Sequence, residues 1–323
     1  MAVHSLEFER PIIELEQKIE ELKAFNLGGF ANVADEIENL EAKKEKLIKD
    51  VFKNINNWQI TQLSRHPLRP YTLDYIGLIT ENFIELHGDR LFMDDKAVVG
   101  GFCFIKGGGG KLDNRQKVLI VGHQKGRNTK DKMCRNFGMP NPEGYRKAQR
   151  LFKLAEKYSI PIVTLIDTPG AYPGLGAEER GQSEAIARTI YTLLNINVPV
   201  LSIVIGEGGS GGALAFGTGN LVLMMEYSIY SVISPEGCAS ILYKDVSKTE
   251  DAANSLKLTA KELNESDIID GIIPEPLGGA HRNAPLAAEA LRKAIIKNLK
   301  KLKEYSGETL RDERIKKFIN IAK

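Results

Sequence analysis

Apolar runs of β type alternate with amphipathic helical segments in the middle of this chain, between about residue 97 and residue 245. The runs fall at residues 97–105, 118–122, 161–166, 199–205, 221–225 and 229–233. Helical patterns at residues 142–158 and 178–194 lie on either side of the third run. This alternation is typical of parallel strands joined by crossover helices, so an α/β fold is expected. The first two runs flank a glycine- and charge-rich bend at residues 107–115 and predict a hairpin.

Helical patterns dominate both ends of the chain. Residues 5–53 carry two amphipathic helices with heptad-like apolar spacing, and Gly28 and Gly29 favour a turn between them. This predicts an antiparallel hairpin that either docks on a partner or packs on its own domain. Residues 54–71 are expected to be irregular, and a helix is expected from Thr72, as its N-cap, to residue 86. We therefore predict three parts: a helical arm (1–57), a main domain (58–296) and a charged helical tail (297–323).

Composition excludes several classes of protein. The formal net charge of the 323 residues is only +2, which gives no overall field for nucleic acid or anionic membranes. The charged segment that starts at Glu7 lacks the apolar core of a secretion signal, and no run is long enough to span a membrane. Cys103, Cys134 and Cys238 are isolated, so neither a zinc ribbon nor a disulfide framework is expected. A cytoplasmic protein is expected.

The most informative segment is the glycine run at residues 205–213, which fits three patterns. Gly206, Gly208 and Gly211 match GxGxxG of dinucleotide-binding folds, but the following helix must stop near Gly217 and is short for that fold. The segment also matches the GxSxG of hydrolases, with Ser210 as nucleophile. A triad would then need His281, with Asp267 or Asp270 to orient it.

In the third interpretation, no side chain carries the chemistry of the glycine run. Successive glycines at a helix N-terminus expose peptide N–H groups, and the lack of Cβ atoms lets a ligand approach them. Such donors stabilise an oxyanion or an enolate. A second turn-rich exit, residues 167–174, follows the preceding strand and resembles the DxxG element of GTPases. No GxxxxGK[ST] occurs in the chain, so a GTPase is not expected.

A basic loop between the second run and the helix at 142–158 contains Lys125, Arg127 and Arg135. It is interpreted either as a solvated surface loop or as a phosphate-binding edge. The five histidines are scattered, and none is paired at the spacing of metal ligands.

Four blocks of sequence resemble one known family. They are residues 167–174 with 178–182, 206–214, 230–239 and 86–90. Together they resemble the carboxyltransferase alpha subunit of bacterial and plastid acetyl-CoA carboxylase, over nearly the whole chain. The resemblance implies a crotonase-like fold, a spiral of ββα units. It also implies an α₂β₂ tetramer, in which a beta subunit supplies a zinc ribbon and the acetyl-CoA side of the site.

The resemblance further implies a reaction, with biotin carboxylase and biotin carboxyl carrier protein as partners. Carboxybiotin on the carrier would give its carboxyl group to acetyl-CoA, making malonyl-CoA for fatty acid synthesis by an ATP-binding carboxylase. Biotin itself would take the methyl proton, so no protein base is needed. No metal is expected in this chain.

Residue roles follow from the same resemblance. The backbone N–H groups of Gly208 and Gly209 would hold the biotin oxyanion, and Lys125, Arg127 and Arg135 would reach CoA phosphates or the partner subunit. The biotin pocket would be formed by Gly170, Ala171, Tyr172, Pro173, Gly206, Gly211 and Gly212. There are two competing hypotheses. The first is a hydrolase or a hydratase-like acyl-CoA enzyme, and the second is a non-catalytic scaffold or a nucleic-acid binder.

Overall fold

The computed structural model describes residues 5–25, 31–107 and 115–321. Its centre is one mixed sheet whose strands are β1 Thr80–Glu85, β2 Val98–Ile105, β3 Gln116–His123, β4 Ile162–Thr168, β5 Val200–Gly209, β6 Leu221–Met225, β7 Ile229–Ser231 and β8 Gly271–Ile273. The strand order is β1-β2-β3-β4-β5-β6-β8, and β7 pairs with β5. The pairs β1–β2 and β2–β3 are antiparallel, and all the others are parallel. The predicted hairpin and parallel sheet are thus confirmed, although residues 108–114 of the bend lie outside the described residues.

Helices flank the sheet on both faces. The α-helices of the described residues are α1 Arg10–Phe25, α2 Ala31–Lys53, α3 Asn57–Ser64, α4 Thr72–Ile79, α5 Thr129–Cys134, α6 Pro142–Lys157, α7 Leu175–Glu179, α8 Gln182–Asn195, α9 Ser210–Gly217, α10 Pro235–Cys238, α11 Thr249–Ser255, α12 Ala260–Glu265, α13 Ala284–Leu302 and α14 Gly307–Asn320. The crossovers β3–β4, β4–β5 and β5–β6 contain α6, α8 and α9 respectively. In the described part of the chain, no helix has the length and apolarity to cross a membrane.

Two apolar layers hold the sheet, one on each face. On one face, strand residues such as Val163 and Ile203 pack with Ile76 of α4 and Leu291 of α13. On the other face, the alternate strand residues pack with α6, α8 and α9, and Phe216 of α9 is fully buried there. Because side chains alternate between the faces of a strand, strands that are apolar at nearly every position are covered on both sides. This burial makes the sheet a rigid platform for the loops at its edge.

The helix predicted for residues 72–86 is wrong in its second half. α4 ends at Ile79, and β1 continues the chain from Thr80, which is opposite Ile105 of β2. Ile79, Phe83 and Leu86 have helical spacing, but pairing with the edge of the sheet overrides that local pattern. Tyr71, not Thr72, is the N-cap, and the Thr72 hydroxyl instead donates a hydrogen bond to the His123 carbonyl at 2.6 Å.

Two smaller local predictions also need correction. The segment 54–71, expected to be irregular, contains α3, which the capping box of Asn56 and Gln59 starts. The helix expected over residues 178–194 is two helices, α7 and α8, separated by Gly181 at φ +81°.

The N-terminal hairpin packs on its own chain at its base. Ile12 of α1 is buried with Ile48 and Phe52 of α2, so the two helices run antiparallel. The Phe52 ring lies 5.7 Å from that of Tyr227, between centroids, which joins the hairpin to the main body. The predicted turn at residues 26–29 lies outside the described residues.

The C-terminal segment is built into the body. The predicted start of a tail, Lys297, falls inside α13, and Leu299, Leu302 and Leu310 belong to the core. Arg314 of α14 is fully buried and donates to main-chain carbonyls that include Val198, at 2.8 Å. The division into three domains stays a prediction.

His123, at the end of β3, should make stability depend on pH. Burial lowers the pKa of His123 to about 3, and the charge of Lys125 adds to that effect. Below pH 6.5 the unfolded chain therefore takes up a proton that the folded chain refuses, so the free energy of unfolding falls as the pH drops towards 3. We expect His123→Phe to reduce this slope by about 1.4 kcal/mol per pH unit, measured by urea denaturation between pH 4.5 and 6. Equal slopes for the two proteins would contradict this account.

Candidate active site

The candidate site lies where β4 and β5 end. The loop after β4 begins at Pro169, and β5 runs through Gly206, Gly208 and Gly209. The first half of the glycine run therefore completes strand β5 up to Gly209, and its second half opens a helix, α9 from Ser210, as the sequence suggested. In this strand Gly208 lies opposite Thr168 of β4 and Tyr230 of β7. The unpaired N–H groups of the helix start belong to the next residues, the first turn of α9 from Ser210.

The two strand exits pack backbone against backbone. A Cβ atom on Gly209 would lie 2.1 Å from the Pro169 carbonyl oxygen, and one on Gly212 would lie 2.5 Å from the Ala171 nitrogen. Neither position has room for any side chain, since real Cβ contacts are not that short. A Cβ on Gly206 would lie 2.4 Å from Oδ1 of Asp167. These glycines are therefore required for close approach of the two loops.

The loop that follows β4 is held by its own hydrogen bonds. The Thr168 hydroxyl donates to the Gly170 carbonyl at 2.8 Å, and Gly170 has φ +145°. The Tyr172 N–H donates to the carbonyl of Pro140 at 3.0 Å, and its ring lies across Gly174. Pro173 is exposed. This loop offers a fixed backbone to the glycines of β5.

A largely apolar cavity of about 530 Å³ opens beside α9. Its lining consists of Ser210, Gly211, Leu214, Gly217, Val222, Tyr230, Ser231, Val232, Leu263, Ile268, Phe318 and Ile321. None of these is an acid, a lysine, an arginine or a histidine. Burial raises the pKa of Tyr230 to about 12, so its hydroxyl stays protonated. The cavity thus offers apolar surface and polar groups that carry no charge.

Of the residues predicted to form the biotin pocket, Gly211 lines this cavity directly. Gly208 lies behind Tyr230, because a Cβ on Gly208 would be 2.8 Å from the Tyr230 ring. The others, Gly170, Ala171, Tyr172, Pro173, Gly206 and Gly212, lie in or against the two packed loops and do not line the cavity. The roles of the Gly208 and Gly209 N–H groups stay a prediction.

A chain of buried and partly buried charges lies beneath the two loops. Nζ of Lys125 is 2.8 Å from Oδ1 of Asp167 and 2.7 Å from Oε1 of Glu207. Arg65 continues the chain, since it contacts Glu207 and Glu236 at 2.7 Å each. Oδ1 of Asp167 also accepts the main-chain N–H of Glu207 at 3.1 Å. The network therefore fixes the backbone directly before Gly208.

The charges in this network shift one another's pKa values. Burial disfavours the charge of Glu207, but Lys125 and Arg65 outweigh it and lower the pKa to about 2. For Asp167, burial dominates over Lys125, and its pKa is raised. Lys125 is buried as well, but the two carboxylates raise its pKa. The ammonium therefore stays charged between them.

The basic residues predicted to reach CoA phosphates or the partner are engaged inside the chain. Lys125 is buried with both neighbouring carboxylates, which argues against a phosphate contact. Arg127 pairs with Asp74 and lies over the Tyr71 ring, 4.1 Å from its centroid. Arg135 donates to Asp131 and to the Lys96 carbonyl, at 3.0 and 2.9 Å.

The fold also brings together histidines that are far apart in sequence. Within the described ranges, one group places three potential metal ligands within 4.8 Å of one another: Glu9, His66 and His281. The expectation that no histidines pair is thus corrected. However, Nδ1 of His66 accepts the Leu68 N–H, and His281 and Arg282 contact Oε1 of Glu9 at 3.0 and 3.2 Å. These hydrogen bonds and positive charges stabilise the buried carboxylate of Glu9, whose pKa is lowered despite its burial.

This group rules out the proposed hydrolase triad. His281 lies with Glu9 at the hairpin base, in a different cavity from Ser210. Asp270 accepts the main-chain N–H of Val222 and pairs with Lys317. Within the part of the chain that the structure describes, the GxSxG match therefore has no base beside its serine.

Sequence reasoning missed the buried network. Arg65 lies in a segment that was expected to be irregular, and Glu207 was hidden among glycines. A signal was nevertheless present, because Lys125, Asp167 and Glu207 each follow an apolar strand run. Side chains at the carboxyl ends of neighbouring parallel strands meet at one edge of the sheet.

The geometry can be compared with known proteins. Residues 5–322 match the family described as acetyl co-enzyme A carboxylase carboxyltransferase-like. Similar curated proteins are named acetyl-coenzyme A carboxylase carboxyl transferase subunit alpha. That of Geobacter metallireducens is 54% identical and covers 98% of this chain and 96% of the relative. That of Paramagnetospirillum magneticum is 50% identical and covers 99% of each. This chain belongs to that family.

As a carboxyltransferase alpha subunit, the chain is a transferase and part of a multi-subunit carboxylase. Solved structures with the same fold include transcarboxylase 12S, with TM-score 0.55 and 20% identity over 72% of this chain and 41% of that one. The beta subunit of geranyl-CoA carboxylase from P. aeruginosa gives TM-score 0.55 and 17% identity, over 78% and 46%. The predicted crotonase-like α/β fold is thereby confirmed.

Proposed function

We propose that this alpha subunit forms the biotin half of a carboxyltransferase site. With a beta subunit, it would move the carboxyl group of carboxybiotin, held on a carrier protein, to acetyl-CoA, and malonyl-CoA would be the product. The observation that carries the proposal is the pair of packed strand exits next to a cavity in which no described lining residue carries a charge. Fixed peptide N–H groups in such surroundings can stabilise the negative charge that develops on substrate oxygens during the reaction.

The reaction has to stabilise two anions and move one proton. When the N–CO₂ bond of carboxybiotin breaks, negative charge develops on the ureido oxygen, and the same biotin then removes a methyl proton from acetyl-CoA. The resulting enolate attacks CO₂ and forms the new C–C bond. Peptide N–H donors on this chain, from Gly208, Gly209 and the first turn of α9, would hold the ureido oxygen. No side chain needs to accept a proton, which agrees with the uncharged cavity.

The proposed partners follow from the division of the reaction between a biotin half and an acetyl-CoA half. A beta subunit would supply the enolate donors and the zinc ribbon, and α₂β₂ is the proposed assembly. Biotin carboxylase would recharge the carrier with ATP, and the complex would work in the cytoplasm on the route to fatty acids.

The test is the reverse half-reaction, malonyl-CoA decarboxylation in the presence of biocytin. We expect no turnover by this chain alone and turnover when it is co-expressed and co-purified with a carboxyltransferase beta subunit, since neither chain holds both sets of donors. Acyl-CoA turnover by this chain alone, or an inactive but intact pair, would contradict the proposed function.

A further inference from the structure

Ser210 is the one residue of the glycine run with a left-handed backbone. Its φ is +52°, whereas Gly206, Gly208, Gly209, Gly211 and Gly212 all stay outside that region. A side chain in the left-handed region is strained, and glycine is free of that strain. Glycine would therefore relieve more backbone strain at position 210 than at any other position of the run, yet this position is occupied by serine.

No contact of Ser210 within the described residues explains why this strained conformation is kept. Other left-handed residues, such as Ser159 and Lys244, follow helical segments, where such conformations are common. Ser210 instead joins β5 to α9. Among the described residues, its hydroxyl has no hydrogen-bond partner, and the residue is exposed. A helix cap or a buried polar contact thus does not explain the serine.

The hydroxyl is placed for a ligand. Ser210 and Gly211 line the cavity beside α9, together with apolar residues such as Leu214 and Val232. No histidine, carboxylate or lysine of the lining can remove the serine proton, so the group is a hydrogen-bond donor and not a nucleophile. In apolar surroundings, a donor gains most from an acceptor that carries negative charge.

We propose that the Ser210 hydroxyl donates a hydrogen bond to a charged oxygen of the N-carboxylated urea during carboxyl transfer. This inference rests on the proposed function and adds a side-chain donor to the peptide donors of the glycine run. It makes Ser210 a contact of the biotin substrate, not of the acyl-CoA. The left-handed backbone would then place the hydroxyl on the substrate side of the turn between β5 and α9.

The test uses the co-purified alpha–beta complex and the malonyl-CoA decarboxylation assay. We expect Ser210→Gly to reduce kcat/KM for biocytin by about 10- to 100-fold, the range for loss of a hydrogen bond to a charged group. The KM for malonyl-CoA should stay unchanged. Because glycine relieves the left-handed strain, the Tm of this variant should equal or exceed that of the wild type. Ser210→Ala should show the same kinetic loss, with a Tm below that of Ser210→Gly because alanine keeps the left-handed strain.

These measurements separate a ligand contact from a structural role. Full biocytin kinetics in Ser210→Gly would overturn the inference, as would a loss that affects the KM for malonyl-CoA equally or comes with a reduced Tm. An inactive wild-type complex would instead be a failure of the proposed function itself, seen before any variant is compared.

Discussion

Gly209→Ala should abolish carboxyl transfer, although it adds only one methyl group. The new Cβ would lie 2.1 Å from the Pro169 carbonyl oxygen and 2.4 Å from its carbon, both of which are backbone atoms that no rotamer change can move. The loop after β4 must therefore separate from the end of β5. Because the loss of one oriented donor reduces kcat by about 10²- to 10³-fold, displacement of both loops should exceed that loss. The measurement is decarboxylation by the co-purified complex.

Gly77→Ala provides the matched control for this substitution. Gly77 lies in α4, has ordinary helical dihedrals, and has nothing within 4 Å of its added Cβ. An alanine in a helix interior stabilises by about 1 kcal/mol relative to glycine, so activity should be retained and the Tm should not fall. If Gly209→Ala kept activity close to that of Gly77→Ala, the close packing of the two loops would have no part in catalysis.

Lys125→Met should cause the second large effect, this time on stability as well as on activity. It would leave Asp167 and Glu207 buried with their shared cation removed, and Arg65 would still contact Glu207 but not Asp167. The loss of one partner from a buried ion pair typically costs 3–5 kcal/mol, because the remaining charge lacks both water and its counter-ion. We expect a decrease of roughly this size in the free energy of unfolding, and an activity loss of at least about tenfold.

A double-mutant cycle identifies the cause. In Lys125→Met with Glu207→Gln, Asp167 no longer lies near a second buried negative charge, so part of the lost stability should return, with a coupling energy of about 1–3 kcal/mol. Lys130→Met, an exposed residue of the same basic segment, should change stability by less than about 0.5 kcal/mol. Additive losses in the double variant would mean that Lys125 stabilises the fold by packing alone.

Much of the local structure could be predicted from the sequence. Strand runs that are apolar at nearly every position, such as residues 161–166 and 199–205, require cover on both faces and therefore helices between them. Pro142 and Gly217 marked real helix ends for the same local reasons. The prediction failed at Thr80, where helical spacing and edge-strand pairing compete and only the position of β2 decides between them.

The candidate site was predicted in part. The glycine run and the loop after β4 were identified, and the chain belongs to the family that these motifs indicated. Their geometry was not predicted: the first part of the run completes a strand, and four of its five glycines allow close approach to a neighbouring loop, to the Tyr230 ring or to the Asp167 carboxylate. Contacts between Gly209 and Pro169, or Gly212 and Ala171, depend on the register between two strands, which no local pattern encodes.

The sequence by itself therefore determined the fold class, the two strand exits and the family, because periodicity and glycine placement are properties of neighbouring residues. Only the tertiary structure decided that Lys125 balances Asp167 and Glu207 instead of facing a phosphate, and that His281 belongs with Glu9 instead of Ser210. The physical reason is the same in both cases. The partner of a buried charge is set by which strand ends and helices meet in space, and these residues are separated in the chain by 40 or more positions.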